Sequence, residues 1–172
     1  MERREAKDHS SRQFRDMRFR RMSDPARLQI HASCVALSGA AVLLRGPPGA
    51  GKSDLALRLV DEGGKLVADD LCEIRREGGR LLADLPAAVE PRFRGRIELR
   101  GIGFLTLPYA GATPVSLVAD LSSVAGDEDR LGEAIYLGIA LPLVVLDPFR
   151  ASAAARLRLL AKVRAETIMR AP

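Results

Sequence analysis

The 172-residue sequence has little of what membrane proteins, metal-cluster proteins and disulfide-rich proteins depend on. Its cysteines, Cys34 and Cys72, are too few for a zinc cluster, and a reducing setting disfavours a disulfide, so we expect both thiols to be packing residues. No apolar run approaches the roughly 20 residues that a membrane helix needs. Because the N-terminus is charged rather than signal-like, we expect a cytoplasmic protein with no membrane partner.

The composition favours one globular domain. Hydrophobic residues make up 47% of the chain, which is enough for a sizeable core but, at this length, not for a second full domain. No internal repeat is present.

The net charge of +5 belongs mostly to the N-terminus. Residues 1–21 hold eight Lys/Arg and four Asp/Glu, so only +1 is left for the remainder. We predict that residues 1–24 form a charged, flexible arm and that residues 25–172 form the catalytic domain. We expect no nucleic-acid partner, although Phe14 and Phe19 among arginines leave an RNA-binding arm as an alternative.

The first half of the domain predicts strands around a loop and a helix. Alternating less polar residues predict a half-buried strand over 28–36, and a second apolar run predicts a strand over 40–44. A helix with one apolar face starts near Lys52 and ends at Gly63-Gly64.

The second half adds strands and a closing helix. "KLVADD" predicts a short strand that ends in two carboxylates, and "EIRREGGRLLA" predicts a hairpin turned at Gly78-Gly79. "PVSLVADLS" and "LPLVVLD" predict two more strands, and residues 151–168 predict a helix. The predicted fold class is α/β, a P-loop nucleotide-binding domain with a mixed β-sheet and flanking helices.

The loop between the second strand and the first helix carries a phosphate-binding pattern. Gly46, Gly51, Lys52 and Ser53 match G-x-x-x-x-G-K-S/T in the strand-to-helix context that this motif requires. Glycines let the backbone curl around a polyphosphate with its N–H groups pointing inward, and the helix N-terminus adds partial positive charge. Lys52 would reach the terminal phosphates, and the Ser53 hydroxyl would bind magnesium.

Two adjacent carboxylates follow the next strand. Asp69 and Asp70 stand at its carboxyl end, the edge at which ligands bind in open α/β sheets. One carboxylate would hold or orient magnesium, and the other would accept a proton from an attacking hydroxyl. The alternative is a pair of solvated acids that cap a strand.

These motifs together resemble the bacterial HPr kinase/phosphorylase family. "GPPGAGKSDLALRLVDEGGKLVADD" has the family's loop, helix and "ADD" strand in the same order and spacing, and His31 in "IHASCV" stands where the family has a histidine. "IELRGIGFLT", residues 97–106, resembles the family's glutamate-arginine-glycine segment. Asp129-Arg130-Leu131-Gly132 resembles its later arginine motif.

The resemblance implies an ATP-dependent serine kinase that acts on an HPr-like phosphocarrier protein of a phosphotransferase system. Asp69 would be the general base, assisted by His31, and Lys52 and Arg130 would neutralise the transferring phosphoryl group. The implied nucleotide-binding residues are Gly46, Pro47, Pro48, Gly49, Ala50, Gly51, Lys52 and Ser53, and the implied magnesium ligands are Ser53, Glu98 and Asp70. Each role has a plainer rival, since His31 could be structural, Glu98 an exposed strand residue and Arg130 a loop charge.

The chain also departs from the family. Long members carry an additional N-terminal domain, so we expect regulation through that domain to be absent. The family's proline-glycine-arginine-asparagine segment corresponds to "LDPFRASAAA", which keeps only Pro148 and Arg150. The resemblance therefore implies kinase activity more directly than phosphorylase activity or a homo-oligomer of the family's hexameric type.

Two other functions fit parts of the sequence. In a generic P-loop ATPase or nucleotide switch, Asp147 after "LPLVVLD" would be the magnesium-site carboxylate, and Asp69-Asp70 would be incidental. A small-molecule kinase would need a lid with several arginines, which the arginine-rich "EPRFRGRIELRG", residues 90–101, could supply, although this segment could equally bind an acidic protein partner.

Overall fold

A computed structural model describes residues 26–122 and 130–163. It contains eleven strands and two α-helices in this part of the chain. In chain order the elements are β1 (Arg27–Ile30), β2 (Ser33–Leu37), β3 (Ala40–Arg45), α1 (Lys52–Asp61), β4 (Lys65–Ala68), β5 (Cys72–Glu77), β6 (Arg80–Asp84), β7 (Arg96–Leu99), β8 (Gly103–Thr106), β9 (Thr113–Leu121), β10 (Arg130–Tyr136), β11 (Ile139–Leu146) and α2 (Ala153–Lys162). A short 3₁₀ turn covers Pro91–Phe93.

One mixed nine-stranded sheet organises the fold, as its predicted class requires. The strands run in the order β1-β5-β6-β9-β3-β2-β4, and β11, paired with β10, adds to β9. Strands β3, β9 and β11 are parallel neighbours, and β4 has the same direction because it lies antiparallel to β2, itself antiparallel to β3. The carboxyl ends of these four strands therefore share one edge, the edge where the phosphate loop leaves β3.

The core has two layers, one on each face of the central strands. Alternation along β3 sends Val42 and Leu44 to the side covered by α1 and α2, where Leu55, Leu59 and Leu157 pack. Ala41 and Leu43 face the opposite side, and β5 and β6 curl over that side to bury it. The sheet is thus buried on both faces, which explains why its central strands are almost continuously apolar.

The segment predicted as one strand over 28–36 is two strands. Residues His31 and Ala32 interrupt it, so that β1 pairs with β5 while β2 pairs with β3 and β4. The expectation of a half-buried face was also wrong for β2, which is buried throughout Ser33–Leu37. The apparent alternation arose because small side chains fit this crowded central position, whichever face they point to.

Other local predictions are confirmed. Gly63 has φ +100, and the N–H groups of Gly63 and Gly64 bond the carbonyls of Val60 and Leu59, which closes α1. The β5–β6 hairpin turns at Gly78-Gly79. Strands β7, β8 and β10 were not predicted as such, because their short or exposed sequences lack a clear period.

Both cysteines are free and buried, as expected. Burial raises the pKa of the Cys34 thiol well above its ordinary value, so this thiol stays protonated and unreactive. Within residues 26–122 and 130–163, no helix is both long enough and apolar enough to cross a bilayer. The predicted N-terminal arm, Asp129 and the predicted helical residues beyond Val163 lie outside the described residues.

Candidate active site

The phosphate loop joins β3 to α1 as the sequence predicts. Gly49 and Gly51 have φ values of +82° and +87°, in the left-handed region that favours glycine. The Ala50 N–H donates to the Pro47 carbonyl at 3.0 Å, which folds the loop into a turn. The Lys52 ammonium lies inside this turn and donates to the carbonyls of Gly46 at 2.8 Å and Pro47 at 3.1 Å.

Asp69, which directly follows β4, contacts the phosphate loop. The Ser53 hydroxyl, in the first turn of α1, donates to its Oδ1 at 3.0 Å. Ser33, the first residue of β2, donates to the same oxygen at 2.6 Å. The predicted juxtaposition of Asp69 with the loop serine is therefore present, and Ser33 is a third member that the sequence did not indicate.

The Asp69 carboxylate is more basic than an ordinary one. Its burial raises the pKa of the side chain, and the nearby charge of Asp70 adds to that effect. Hydrogen bonds from Ser33 and Ser53 act in the opposite direction without cancelling it. A carboxylate with a raised pKa accepts a proton more readily near neutral pH, which suits a general base.

Asp70 forms a tight, strained turn beside Asp69. Its φ is +65°, and the Leu71 N–H donates to the Asp69 carbonyl at 2.8 Å across it. His31 Nδ1 lies 3.1 Å from the Asp70 carbonyl oxygen, to which it donates a hydrogen bond in the tautomer that carries the proton on Nδ1. His31 thus contacts Asp70 rather than Asp69, and both side chains are exposed.

A second carboxylate at this edge, Asp120, is paired with Arg45. Arg45 Nε and Nη2 donate to its two carboxylate oxygens at 2.6 and 2.7 Å, and Nη1 donates to the Tyr136 hydroxyl at 2.6 Å. The bond to Asp120 raises the pKa of Arg45 above its ordinary value. Since Arg45 directly precedes Gly46, this ion pair anchors the start of the phosphate loop to β9.

The third carboxylate at the edge, Asp147, caps its own loop after β11. Its Oδ1 accepts a bond from the Phe149 N–H at 2.9 Å, and Arg150 Nε lies 3.9 Å from its Oδ2. Of Asp69, Asp120 and Asp147, only Asp69 has a hydrogen bond with the phosphate-loop serine in the described part of the chain. This arrangement disfavours Asp147 as the carboxylate of the site.

Two predicted site residues, Glu98 and Arg130, lie at the periphery of the candidate site. Glu98 is an exposed residue of β7, and its carboxylate makes no hydrogen bond or ion pair within the described residues. Arg130 opens β10 opposite Val145, which neighbours Asp120 on β9. Strand β10 is three strands away from β3, by way of β11 and β9. At about 4.8 Å between neighbouring strands, the Arg130 backbone therefore lies about 14 Å from β3. The roles implied for these two residues and for the other site residues, Asp69, His31, Asp70, Ser53 and residues 46–52 included, stay predictions.

The residues that come together fit a nucleotide with magnesium. Gly49 has open space where a Cβ would project, so a phosphate group could approach its backbone closely. Ser53 and Asp69 offer oxygen ligands, the type that Mg²⁺ prefers. No three His, Cys, Asp or Glu side chains converge as a metal cluster in residues 26–122 and 130–163, and Mg²⁺ in such sites takes few protein ligands beside phosphates and water.

The sequence carried weak signals for the residues that were missed. Ser33 follows His31 by two positions, a spacing that would put both side chains on one face of a continuous strand, but the segment is interrupted at His31 and Ala32. Asp120 is the last residue but one of the apolar strand β9, and Asp69 and Asp147 directly follow their strands, so its position near a strand end is the signal that could have found it.

Sequence comparison connects this site with one family. The family described as the HPr serine kinase C-terminal domain matches residues 24–117. The HPr kinase/phosphorylase of an Exiguobacterium species is 40% identical over 112 residues, which are 60% of this chain and 35% of that protein. The protein of the same name from Chlorobium limicola is 35% identical over 134 residues, 70% of this chain and 40% of the relative. The chain therefore spans little more than a third of the length of these relatives.

A solved structure has the same fold. The Hpr(Ser) kinase/phosphatase from Coxiella burnetii superposes with a TM-score of 0.64 at 23% identity, over 77% of this chain and 93% of that one. At this identity the likeness concerns the fold alone. The family match covers more than half of the chain, from Asp24 through the phosphate loop and the Asp69-Asp70 turn to Leu117, and so the chain belongs to the HPr serine kinase C-terminal domain family.

Proposed function

We propose that the protein is an ATP-dependent serine kinase that phosphorylates an HPr-like phosphocarrier protein. The observation that carries this proposal is the Asp69 carboxylate, which is held against the phosphate-loop serine by a 3.0 Å hydrogen bond and made more basic by burial. The names of the relatives, HPr kinase/phosphorylase, support the choice of acceptor.

The phosphate loop would bind the nucleotide. Backbone N–H groups of the loop and the α1 N-terminus would favour the phosphate chain, and Lys52 would leave the carbonyls of Gly46 and Pro47 to bind the terminal phosphates. Ser53 and Asp70, with Glu98 as the further predicted ligand, would hold magnesium, whose charge offsets that of the phosphates when it is bound.

Asp69 would act on the acceptor hydroxyl. The serine oxygen of the carrier forms a bond to the γ-phosphorus as the bond to the β-phosphate oxygen breaks, and the serine proton passes to the Asp69 carboxylate. ADP leaves with the electron pair of the broken bond. In the phosphorylase direction, an oxygen of inorganic phosphate would form a bond to the phosphorus of the phosphoserine as the bond to the serine oxygen breaks, and the Asp69 carboxyl would give its proton to that serine oxygen, which leaves serine and pyrophosphate.

The surroundings of the site favour a protein acceptor over a metabolite. The connection between α1 and β4 is only Glu62–Gly64, so no lid is inserted there to exclude water from a small acceptor. The β7–β8 hairpin exposes Ile102 and Phe104, and Arg96 stacks on Phe104 at 5.8 Å. An exposed arginine beside aromatic rings is typical of protein-binding surfaces.

The proposal includes a cytoplasmic location and self-association. Leu131 and Ile135 on β10 and Leu159 on α2 are apolar and more than half exposed. Apolar side chains grouped on one surface support burial in a homo-oligomer.

The test is phosphotransfer from labelled ATP with magnesium to purified HPr-type proteins of the source organism. We expect label on a serine of one carrier, slow ATP hydrolysis without a carrier, and a loss of transfer of about 100-fold or more in Asp69→Asn with nucleotide binding retained. Asp147→Asn is the matched control and should stay active. Turnover of a metabolite with no labelled carrier would reject the acceptor, and an inactive Asp147→Asn beside a normal Asp69→Asn would favour the generic ATPase.

A further inference from the structure

The strand order indicates the direction in which a nucleotide on the phosphate loop would lie. Asp69 and Ser53 mark the end of the phosphate loop that takes the terminal phosphate, and Asp69 follows β4, two strands from β3. On the other side of β3, β9 and then β11 follow. A phosphate chain whose terminal group points toward β4 directs its nucleoside end toward the loop after β11.

An aromatic ring stands at that position. Phe149, in the loop after β11, packs on Gly51 of the phosphate loop so closely that a Cβ added to Gly51 would lie 3.1 Å from Cζ and 3.2 Å from Cε1 of the ring. The rest of the ring faces solvent, since 58% of the residue is exposed. Phe149 belongs to neither layer of the hydrophobic core.

The loop that carries the ring is held in place from several directions. The Phe149 N–H donates to Asp147 Oδ1 at 2.9 Å. Arg58 of α1 donates to the Pro148 carbonyl and, at 3.5 Å, to the Arg150 carbonyl. The backbone that carries the ring is therefore held against α1 before any ligand binds, which lowers the entropy cost of stacking a ligand on the ring.

We propose that Phe149 is the stacking platform for the purine base of the nucleotide. This inference rests on the proposed nucleotide binding and adds the residue that holds the base. Stacking on a phenyl ring uses the π-face that every base has, so adenine and guanine nucleotides should bind with similar affinity.

The test compares ATP with inorganic tripolyphosphate, which has the phosphate chain but no base. In the wild-type chain and in Phe149→Ala, the dissociation constants of both ligands are measured by calorimetry with magnesium. We expect Phe149→Ala to weaken ATP binding about tenfold and to leave tripolyphosphate binding unchanged. Phe149→Tyr keeps an aromatic ring, so its ratio of the two dissociation constants, for ATP and for tripolyphosphate, should equal that of the wild-type chain. Tyr109→Ala, which removes an exposed ring beyond β4 on the opposite side, should also keep the wild-type ratio.

A second readout uses the lack of tryptophan in the chain. Phe149→Trp supplies a single indole, and its fluorescence should change on addition of ATP or GTP but not of tripolyphosphate. If the wild-type chain binds ATP and Phe149→Ala keeps the same ATP affinity, or loses both ligands equally, the base-stacking inference alone is rejected. A wild-type chain that binds neither ligand rejects the proposed function as well.

Discussion

The Ser33 hydroxyl donates a 2.6 Å hydrogen bond to Oδ1 of Asp69, and the Ser33 side chain is completely buried. Ser53 donates to the same oxygen at 3.0 Å. Ser53 is also the predicted magnesium ligand, so its hydrogen bond to Asp69 would be weakened when magnesium binds, whereas the hydrogen bond from Ser33 would remain. Ser33 is then the side chain that keeps the Asp69 carboxylate in place.

We predict that Ser33→Ala lowers kcat for phosphotransfer about 10- to 100-fold, since a hydrogen bond to a charged group contributes about 1.5–3 kcal/mol. The ATP affinity should change little, because Ser33 does not lie in the phosphate loop. Steady-state kinetics with ATP and the carrier separate the two effects. Ser116→Ala, which removes a hydroxyl bonded to the Ala41 carbonyl at 3.5 Å on the same sheet, is the control. Equal losses of kcat and of nucleotide affinity would contradict a positioning role.

Much of the fold was predictable because its key segments carry local signals. The phosphate loop, α1 with its glycine ending and the Gly78-Gly79 hairpin each follow from residues close together in the chain. The break at His31 was not predictable, because it depends on β1 leaving β2 to pair with β5, about 45 residues later. Strand pairing of this kind is decided by distant contacts rather than by local propensity.

The same distinction between local signals and distant contacts applies to the residues of the candidate site. Asp69 could be predicted, since it follows a strand whose position relative to the loop is given by the motif order. Ser33 and the Arg45–Asp120 pair could not, because their partners are 36 and 75 residues away. The family resemblance implied that His31 lies beside Asp69 and assists it; the structure brings the His31 ring to the carbonyl of the adjacent Asp70, and the assisting role stays a prediction.

We predict that Asp69→Asn raises the free energy of unfolding at neutral pH in the absence of metal. Burial raises the folded-state pKa of Asp69, so the stability associated with its protonated form is complete below the unfolded pKa and is lost as the pH rises through the folded pKa. An amide stays neutral, so the variant avoids this loss. The difference should be largest at neutral pH and should disappear below about pH 4.

Urea unfolding in EDTA at a series of pH values measures this difference. Asp61→Asn, at an exposed position of α1, reports the effect of replacing a solvated carboxylate. If Asp69→Asn is less stable than the wild-type chain at neutral pH, burial of the Asp69 charge is not a cost to the fold.

We predict that Lys52→Ala removes the increase in Tm that ATP and magnesium produce, while the Tm without ligand changes little. Among residues 26–122 and 130–163, the Lys52 ammonium bonds only the loop carbonyls of Gly46 and Pro47, so we expect the fold to lose little when it is absent. Its charge is predicted to reach the terminal phosphates, and a ligand that binds the folded chain raises its stability with the logarithm of the ligand concentration divided by Kd. Lys65→Ala, at the exposed start of β4, should keep the full ATP effect.

The last prediction concerns the ion pair that anchors the start of the phosphate loop. Arg45 and Asp120 form a two-bond pair at 2.6 and 2.7 Å, with both side chains about one-third exposed. We expect Arg45→Ala and Asp120→Ala each to lower the free energy of unfolding, and the double variant to lose less than the sum. The coupling should be about 1 kcal/mol and should shrink at high salt, because solvent screens a pair at this exposure. Urea unfolding of the four proteins at low and high salt measures it. Additive losses would mean that the two residues act separately, and that the Tyr136 hydroxyl, rather than Asp120, is what holds Arg45 beside Gly46.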